Sequence, residues 1–102
     1  MVVSVASGHE IVLAGRLDVH SVSDVRDTLH AAIDAGAGDL VLDVSEVELV
    51  DATGLAMLVS ADRRAKQADR TVVLRDAGPR LLRILRATGL HRVLTVEAGV
   101  PA

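Results

Sequence analysis

The 102-residue chain contains no cysteine, phenylalanine, tryptophan or tyrosine, and only two prolines. Without cysteine there is neither a disulfide framework nor thiol chemistry. Without aromatic rings there is no platform on which bases stack, which argues against binding single-stranded nucleic acid. Acidic residues outnumber Lys and Arg by 14 to 11, a net charge of −3, so the basic footprint of a phosphate-backbone binder is missing too. No apolar run approaches the roughly 20 residues needed to span a bilayer. Met1 to Gly8 lacks the basic start and long apolar stretch of a secretory leader. The expectation is a soluble cytoplasmic protein, with no membrane insertion and no direct nucleic-acid contact.

Half of the residues are hydrophobic, enough for one compact domain over residues 1–102. Its core must be built from Val, Leu, Ile and Ala in tightly packed layers. Charge is unevenly spread. Residues 1–51 hold ten acids and two arginines, a net of −8. Residues 52–102 hold four acids and nine bases, a net of +5. Two solvated faces account for this, as does a polar molecule that orients against a partner.

Val2 to Ala6 and Glu10 to Ala14 read as strands of a hairpin around Ser7-Gly8-His9. Ser21 to Ala35 has Val22, Val25, Leu29, Ala32 and Ile33 at helical spacing. Ser21 suits its N-cap, Asp24 and Asp27 its first turn, and Gly36 and Gly38 its end. Leu40 to Val44 suits a buried strand, followed by an acidic loop. Thr53 to Ala68 reads as a second amphipathic helix, with Leu55, Leu58, Val59 and Ala65 inward and Asp62, Arg63, Lys66 and Gln67 facing water. Thr71 to Leu74 is a strand. Pro79 opens a third helix that ends at Gly89, and Val93 to Val96 is a last strand. The order β-β-α-β-α-β-α-β implies an α/β fold with a mixed, largely parallel sheet and helices mainly on one face.

The chemistry on offer is sparse. Histidines 9, 20, 30 and 91 are scattered without metal-ligand spacing, so no metal is expected. There is no phosphate loop and no G-x-S-x-G, and Gly36-Ala37-Gly38 precedes a strand rather than a helix. The serines lack a base partner. The expectation is no enzyme activity and no cofactor. Three acids stand out instead: Asp18 after the second strand, Asp43 inside the third, and Asp51 before the second helix. Each has a structural role open to it, as turn cap, loop acceptor or N-cap. Together they gather at strand C-terminal ends, the edge where α/β sheets take ligands and partners.

Those segments carry a resemblance. Gly15-Arg16-Leu17-Asp18, Leu42-Asp43-Val44-Ser45, Val50-Asp51-Ala52-Thr53-Gly54-Leu55 and Leu85-Arg86-Ala87-Thr88-Gly89-Leu90 are similar to motifs of the STAS domain, the family shared by sulfate-transporter tails and bacterial anti-sigma factor antagonists. The resemblance covers nearly the whole chain and implies the same element order. It also implies a function: binding a kinase-type anti-sigma factor and so releasing a sigma factor. In that branch the switch is phosphorylation of a Ser or Thr directly after the Asp of a D-[ST]-[ST]-G pattern. Here that position is Ala52, and Thr53 follows as the candidate phosphoacceptor, with helix capping as its other role. Asp18, Asp51, Ala52, Thr53, Gly54 and Met57 are the candidate partner surface, with Met57 otherwise a core residue. An alternative within the family is a STAS accessory subunit of a lipid-transporting ATPase, for which Asp51 to Leu58 also fits. A nucleotide-binding STAS domain has no phosphate loop to support it.

Overall fold

The computed structural model describes residues 2–97. Strands β1 (Val2–Ser7) and β2 (Glu10–Leu17) form the antiparallel hairpin, followed by α1 (Val22–Ala35), β3 (Leu40–Val50), α2 (Ala52–Gln67), β4 (Val72–Arg75), α3 (Pro79–Thr88), a 3₁₀ turn at Leu90–Arg92 and β5 (Thr95–Val96). The five strands lie in sequence order across one sheet. Among the described residues β1–β2 is the one antiparallel pair; β2, β3, β4 and β5 run parallel. Each parallel crossover steps one strand in the same direction. Right-handed crossovers that all step one way leave their helices on the same face.

Burial follows from that. Ile11 and Leu13 of β2, Leu40, Leu42 and Val44 of β3, and Val72 and Leu74 of β4 point to the covered face, as the two-residue strand period requires. Val25, Leu29 and Ile33 of α1, Leu55, Leu58, Ala61 and Ala65 of α2, and Leu81 and Leu85 of α3 close over them in one cluster. No helix among the described residues covers the other face. There Arg75 reaches Glu10 at 2.9 Å and Asp43 at 3.6 Å, among the half-buried Val12, Val41 and Val73.

The sequence reading needs five corrections. β2 runs on to Leu17 and β3 to Val50, so the expected acidic loop after Val44 is strand. Two register shifts let Ala14–Leu17 pair with Glu46–Val50, and Gly15, at φ 100°, supplies the left-handed backbone beside the second shift. The β4 pairing stops at Asp43–Arg75, so this extension is paired on one side only and carries exposed Glu46 and Glu48. Asp43 therefore lies inside β3, roughly 25 Å of strand from Asp51 at about 3.3 Å per residue.

Asp62 does not face water either; it is 2 % exposed. It sits one turn after Leu58 on the inward side of α2, and Lys66 arches back to its Oδ2 at 2.9 Å. Met57 is 4 % exposed and belongs to the core cluster. β5 begins only at Thr95, because the chain first makes the 3₁₀ turn and buries Leu94. Asp24 alone lies in the acidic first turn of α1; Asp27 falls beyond it.

Candidate functional site

The C-terminal ends of β2 and β3 lie side by side, with Leu17 opposite Val50. The next residue of each strand is an aspartate. Asp51 is the N-cap of α2. Its Oδ1 accepts the Gly54 N–H at 2.8 Å and its Oδ2 accepts the Val19 N–H at 3.2 Å. Its own N–H donates to the Leu17 carbonyl at 3.2 Å. One carboxylate thus caps a helix start, where N–H groups lack partners, and holds the β2–α1 loop against it. Asp18 shapes that loop from within. Its Oδ1 accepts the His20 N–H at 3.0 Å, and its N–H donates to Ser21 Oγ at 3.1 Å. Ser21 sits at the N-cap position of α1, but its hydroxyl makes no cap there; it donates to the Arg16 carbonyl at 2.8 Å.

The turn so held is tight. A Cβ on Gly54 would collide with the Leu17 carbonyl oxygen and come within 2.9 Å of Leu17 Cγ and 3.1 Å of Val50 Cγ1. The close approach that needs glycine is therefore to β2 of the same chain. Gly54 is buried, and so is Met57; neither belongs to an exposed surface. Thr53 is not a cap. Asp51 takes that role, and Thr53 is exposed, its hydroxyl without a hydrogen bond among the described residues. Ala52 is exposed beside it. The structure brings Asp18, Asp51, Ala52 and Thr53 together. It also adds a residue that the sequence reading did not single out: Val19, 61 % exposed, its N–H on Asp51. A valine between a strand-ending aspartate and a helix start, outside any apolar repeat, was the available signal.

Asp43 is a separate group. Ser45 donates to its Oδ1 from the hydroxyl at 2.7 Å and from the backbone N–H at 3.0 Å. These bonds, and then the Arg75 charge, hold its carboxyl below the ordinary value. It faces the open side of the sheet and contributes nothing to the turn at Asp51.

A family model described as Mlab, STAS domain matches residues 3–96. The chain belongs to the STAS domain family. This STAS domain is similar to the anti-sigma-B factor antagonist of Staphylococcus aureus (strain NCTC 8325 / PS 47), 26 % identical over 91 residues, covering 89 % of this chain and 84 % of the relative. Among solved structures it is similar to an anti-sigma factor antagonist from Mycobacterium paratuberculosis, with 25 % identity, a TM-score of 0.74, and coverage of 93 % of this chain and 81 % of that one. Bacillus SpoIIAA in its unphosphorylated form aligns with a TM-score of 0.70 at 16 % identity, over 96 % and 87 % of the two chains, a likeness of fold. The family and the element order read from the motifs are both borne out. No helix among the described residues is long and apolar enough to cross a membrane.

Proposed function

We propose that this STAS domain is a cytoplasmic anti-sigma factor antagonist that binds a kinase-type anti-sigma factor and releases its sigma factor. The observation that carries the reading is the exposed first turn of α2. Asp51 fixes Ala52 and Thr53 on the surface beside Val19 and Asp18, in a domain whose curated relatives are named antagonists. Partner contact then falls on Asp18, Val19, Ala52 and Thr53. Asp51 and Gly54 hold that surface in shape, and Met57 supports it from the core.

The reading includes constitutive binding. The position directly after Asp51 has no hydroxyl, and Thr53 does not replace it. Successive residues of an α-helix point about 100° apart around the axis, so a kinase site aligned on position 52 does not meet the Thr53 hydroxyl. A phosphoryl group at position 52 would add about −1.5 to −2 charges beside Asp51, enough to repel the partner.

The test uses the kinase-type anti-sigma factor, its sigma factor and ATP. The native domain should displace the sigma factor and stay unmodified by intact mass. Ala52→Ser should gain a single phosphate and bind roughly tenfold more weakly or worse. Stoichiometric phosphate on native Thr53 would overturn constitutive binding. Failure to bind the anti-sigma factor, or association with a transport ATPase subunit instead, would overturn the antagonist reading itself.

A further inference from the structure

Helix α3, Pro-Arg-Leu-Leu-Arg-Ile-Leu-Arg-Ala-Thr, has no acidic residue. Leu81 and Leu85 are spent in the core. Arg80, Arg83 and Arg86 recur every third residue on its exposed side, and Arg92 is exposed in the 3₁₀ turn that follows. None of these four has a carboxylate within 4.0 Å among the described residues, whereas Arg26, Arg64 and Arg75 each do.

At its start the arrangement works against the helix that carries it; Arg86, in the last turn, is the one that suits the dipole. Arg80 occupies the first turn, where the helix dipole disfavours a cation. The N-cap is Gly78, with no side-chain acceptor. Like charges three and four residues apart repel rather than stabilise. A chain of net −3 has carboxylates to spare, yet Glu48, which shares a cleft with Arg80, makes no ion pair with it. Local choices that cost stability with no compensating contact inside the fold mark a surface kept for something outside it.

The neighbourhood of the arginines decides what that is. Beside Arg83 and Arg86 runs a groove of about 450 Å³ lined by Ala77, Pro79, Leu82, Arg83 and Arg86. Arginine next to a small apolar shelf is the composition of protein interfaces. A bilayer surface is disfavoured, because the apolar face of α3 is already buried and nothing remains to insert. Nucleic acid is disfavoured by the net negative charge and the absence of aromatic rings. We propose that α3 is a second docking surface, independent of the turn at Asp51, for an acidic amphipathic segment of another protein. Its carboxylates would pair with Arg80, Arg83 and Arg86, spaced about 4.5 Å apart along the axis, and an apolar side chain would fill the groove at Leu82. Guanidinium forks take carboxylates in bidentate pairs, which gives the contact its geometry.

The proposal does not rest on the antagonist reading and is tested on the full chain. The probe is a synthetic helical peptide with glutamates along one side and leucines along the other. Controls are the same peptide with glutamine for glutamate, phosphatidylcholine vesicles containing phosphatidylglycerol, and a duplex RNA. The variant combines Arg80→Gln, Arg83→Gln and Arg86→Gln, all exposed, and its urea midpoint should match or exceed the native one. The glutamate peptide should bind the native chain roughly tenfold more tightly than it binds the variant, and more tightly than the glutamine peptide by a similar factor, with the difference shrinking in salt. Equal binding to the variant would overturn the proposal. So would tighter binding to vesicles or RNA, or a native self-association by light scattering that the variant abolishes. Loss of anti-sigma factor binding in the variant would overturn the independence of the two surfaces.

Discussion

The two edges of the parallel sheet are each closed by one charged side chain, and they are closed in opposite senses. At the C-terminal edge the Asp51 carboxylate accepts N–H groups from Gly54 and Val19. At the N-terminal edge the Arg70 guanidinium donates to four carbonyls: Gly38 at 2.8 Å, Ala32 at 2.9 Å, Ile33 at 3.0 Å and Gly8 at 3.4 Å. The signs follow from helix ends. The start of α2 offers unpaired N–H groups and calls for an anion. The end of α1 offers unpaired carbonyls, has no basic residue of its own in the last turn, and calls for a cation. The difference lies in what remains outside. Arg70 is 2 % exposed and its four hydrogen bonds all go to backbone carbonyls, so that edge is structural. Asp51 is half-buried and holds exposed Ala52, Thr53 and Val19 around it. One clamp is finished within the chain; the other presents a surface.

Removing the closed clamp should have the largest effect. Arg70→Met keeps much of the side-chain volume but leaves the carbonyls of Ala32, Ile33, Gly38 and Gly8 without their donor. Ile33 is buried and Ala32 half-buried, while Gly38 and Gly8 are exposed and can turn to water; with an unsatisfied buried group costing about 1–3 kcal/mol, a total loss of about 2–4 kcal/mol is expected in urea unfolding. A loss under about 1 kcal/mol would mean that water replaces the guanidinium, and the contrast between a closed and an open edge would fail.

Gly54→Ala probes the open clamp. Alanine in a helix is ordinarily favoured over glycine by about 0.5–1 kcal/mol. Here the added carbon meets the Leu17 carbonyl, which is main chain and yields only if the end of β2 moves. The expected net is a destabilisation of about 1–3 kcal/mol, as for overpacked cores. The displaced strand end carries Asp18 and Val19 with it, so partner affinity should fall as well. A neutral or stabilising result in urea unfolding would show that the two strand ends are not locked together.

The clamps were unequally legible. Asp51 caps an N–H three residues on, and the Asp-x-x-Gly order before an apolar helix announces it. Arg70 reaches carbonyls 32 to 62 residues away, and nothing near it in sequence marks it as buried. The element order was legible because apolar spacing differs between strand and helix. The length of β3 was not: Glu46 to Leu49 alternates polar and apolar residues as a strand does, but its acids read as a loop until the second half of β2 is known to pair with it. Thr53 and Met57 failed for a related reason. Which side of α2 is buried depends on the docking of its first turn against Leu17, a contact between segments far apart in sequence.

The smallest expected effect concerns charge that belongs to neither edge. Asp43 lies mid-strand on the open face, and its carboxyl is held below the ordinary value of 3.8, first by the Ser45 hydroxyl and backbone N–H and then by Arg75. A carboxyl whose folded value is lowered adds stability that is present above its unfolded value and is lost as pH falls through the folded one. The native chain should therefore lose stability on acidification below about pH 4, and Asp43→Asn should flatten that part of the profile while changing little at neutral pH. The order of causes gives a sharper check. Ser45→Ala removes the largest single cause, the hydroxyl, but leaves the backbone N–H, and should reproduce part of the flattening; Arg75→Gln, which leaves Ser45 in place, should reproduce less. Urea unfolding of the four proteins between about pH 2 and pH 6 measures this. If Arg75→Gln flattened the profile more than Ser45→Ala did, the open face would be held by its ion pairs, as surface pairs rarely are, and the two edge clamps would lose their place as the charged groups on which the fold most depends.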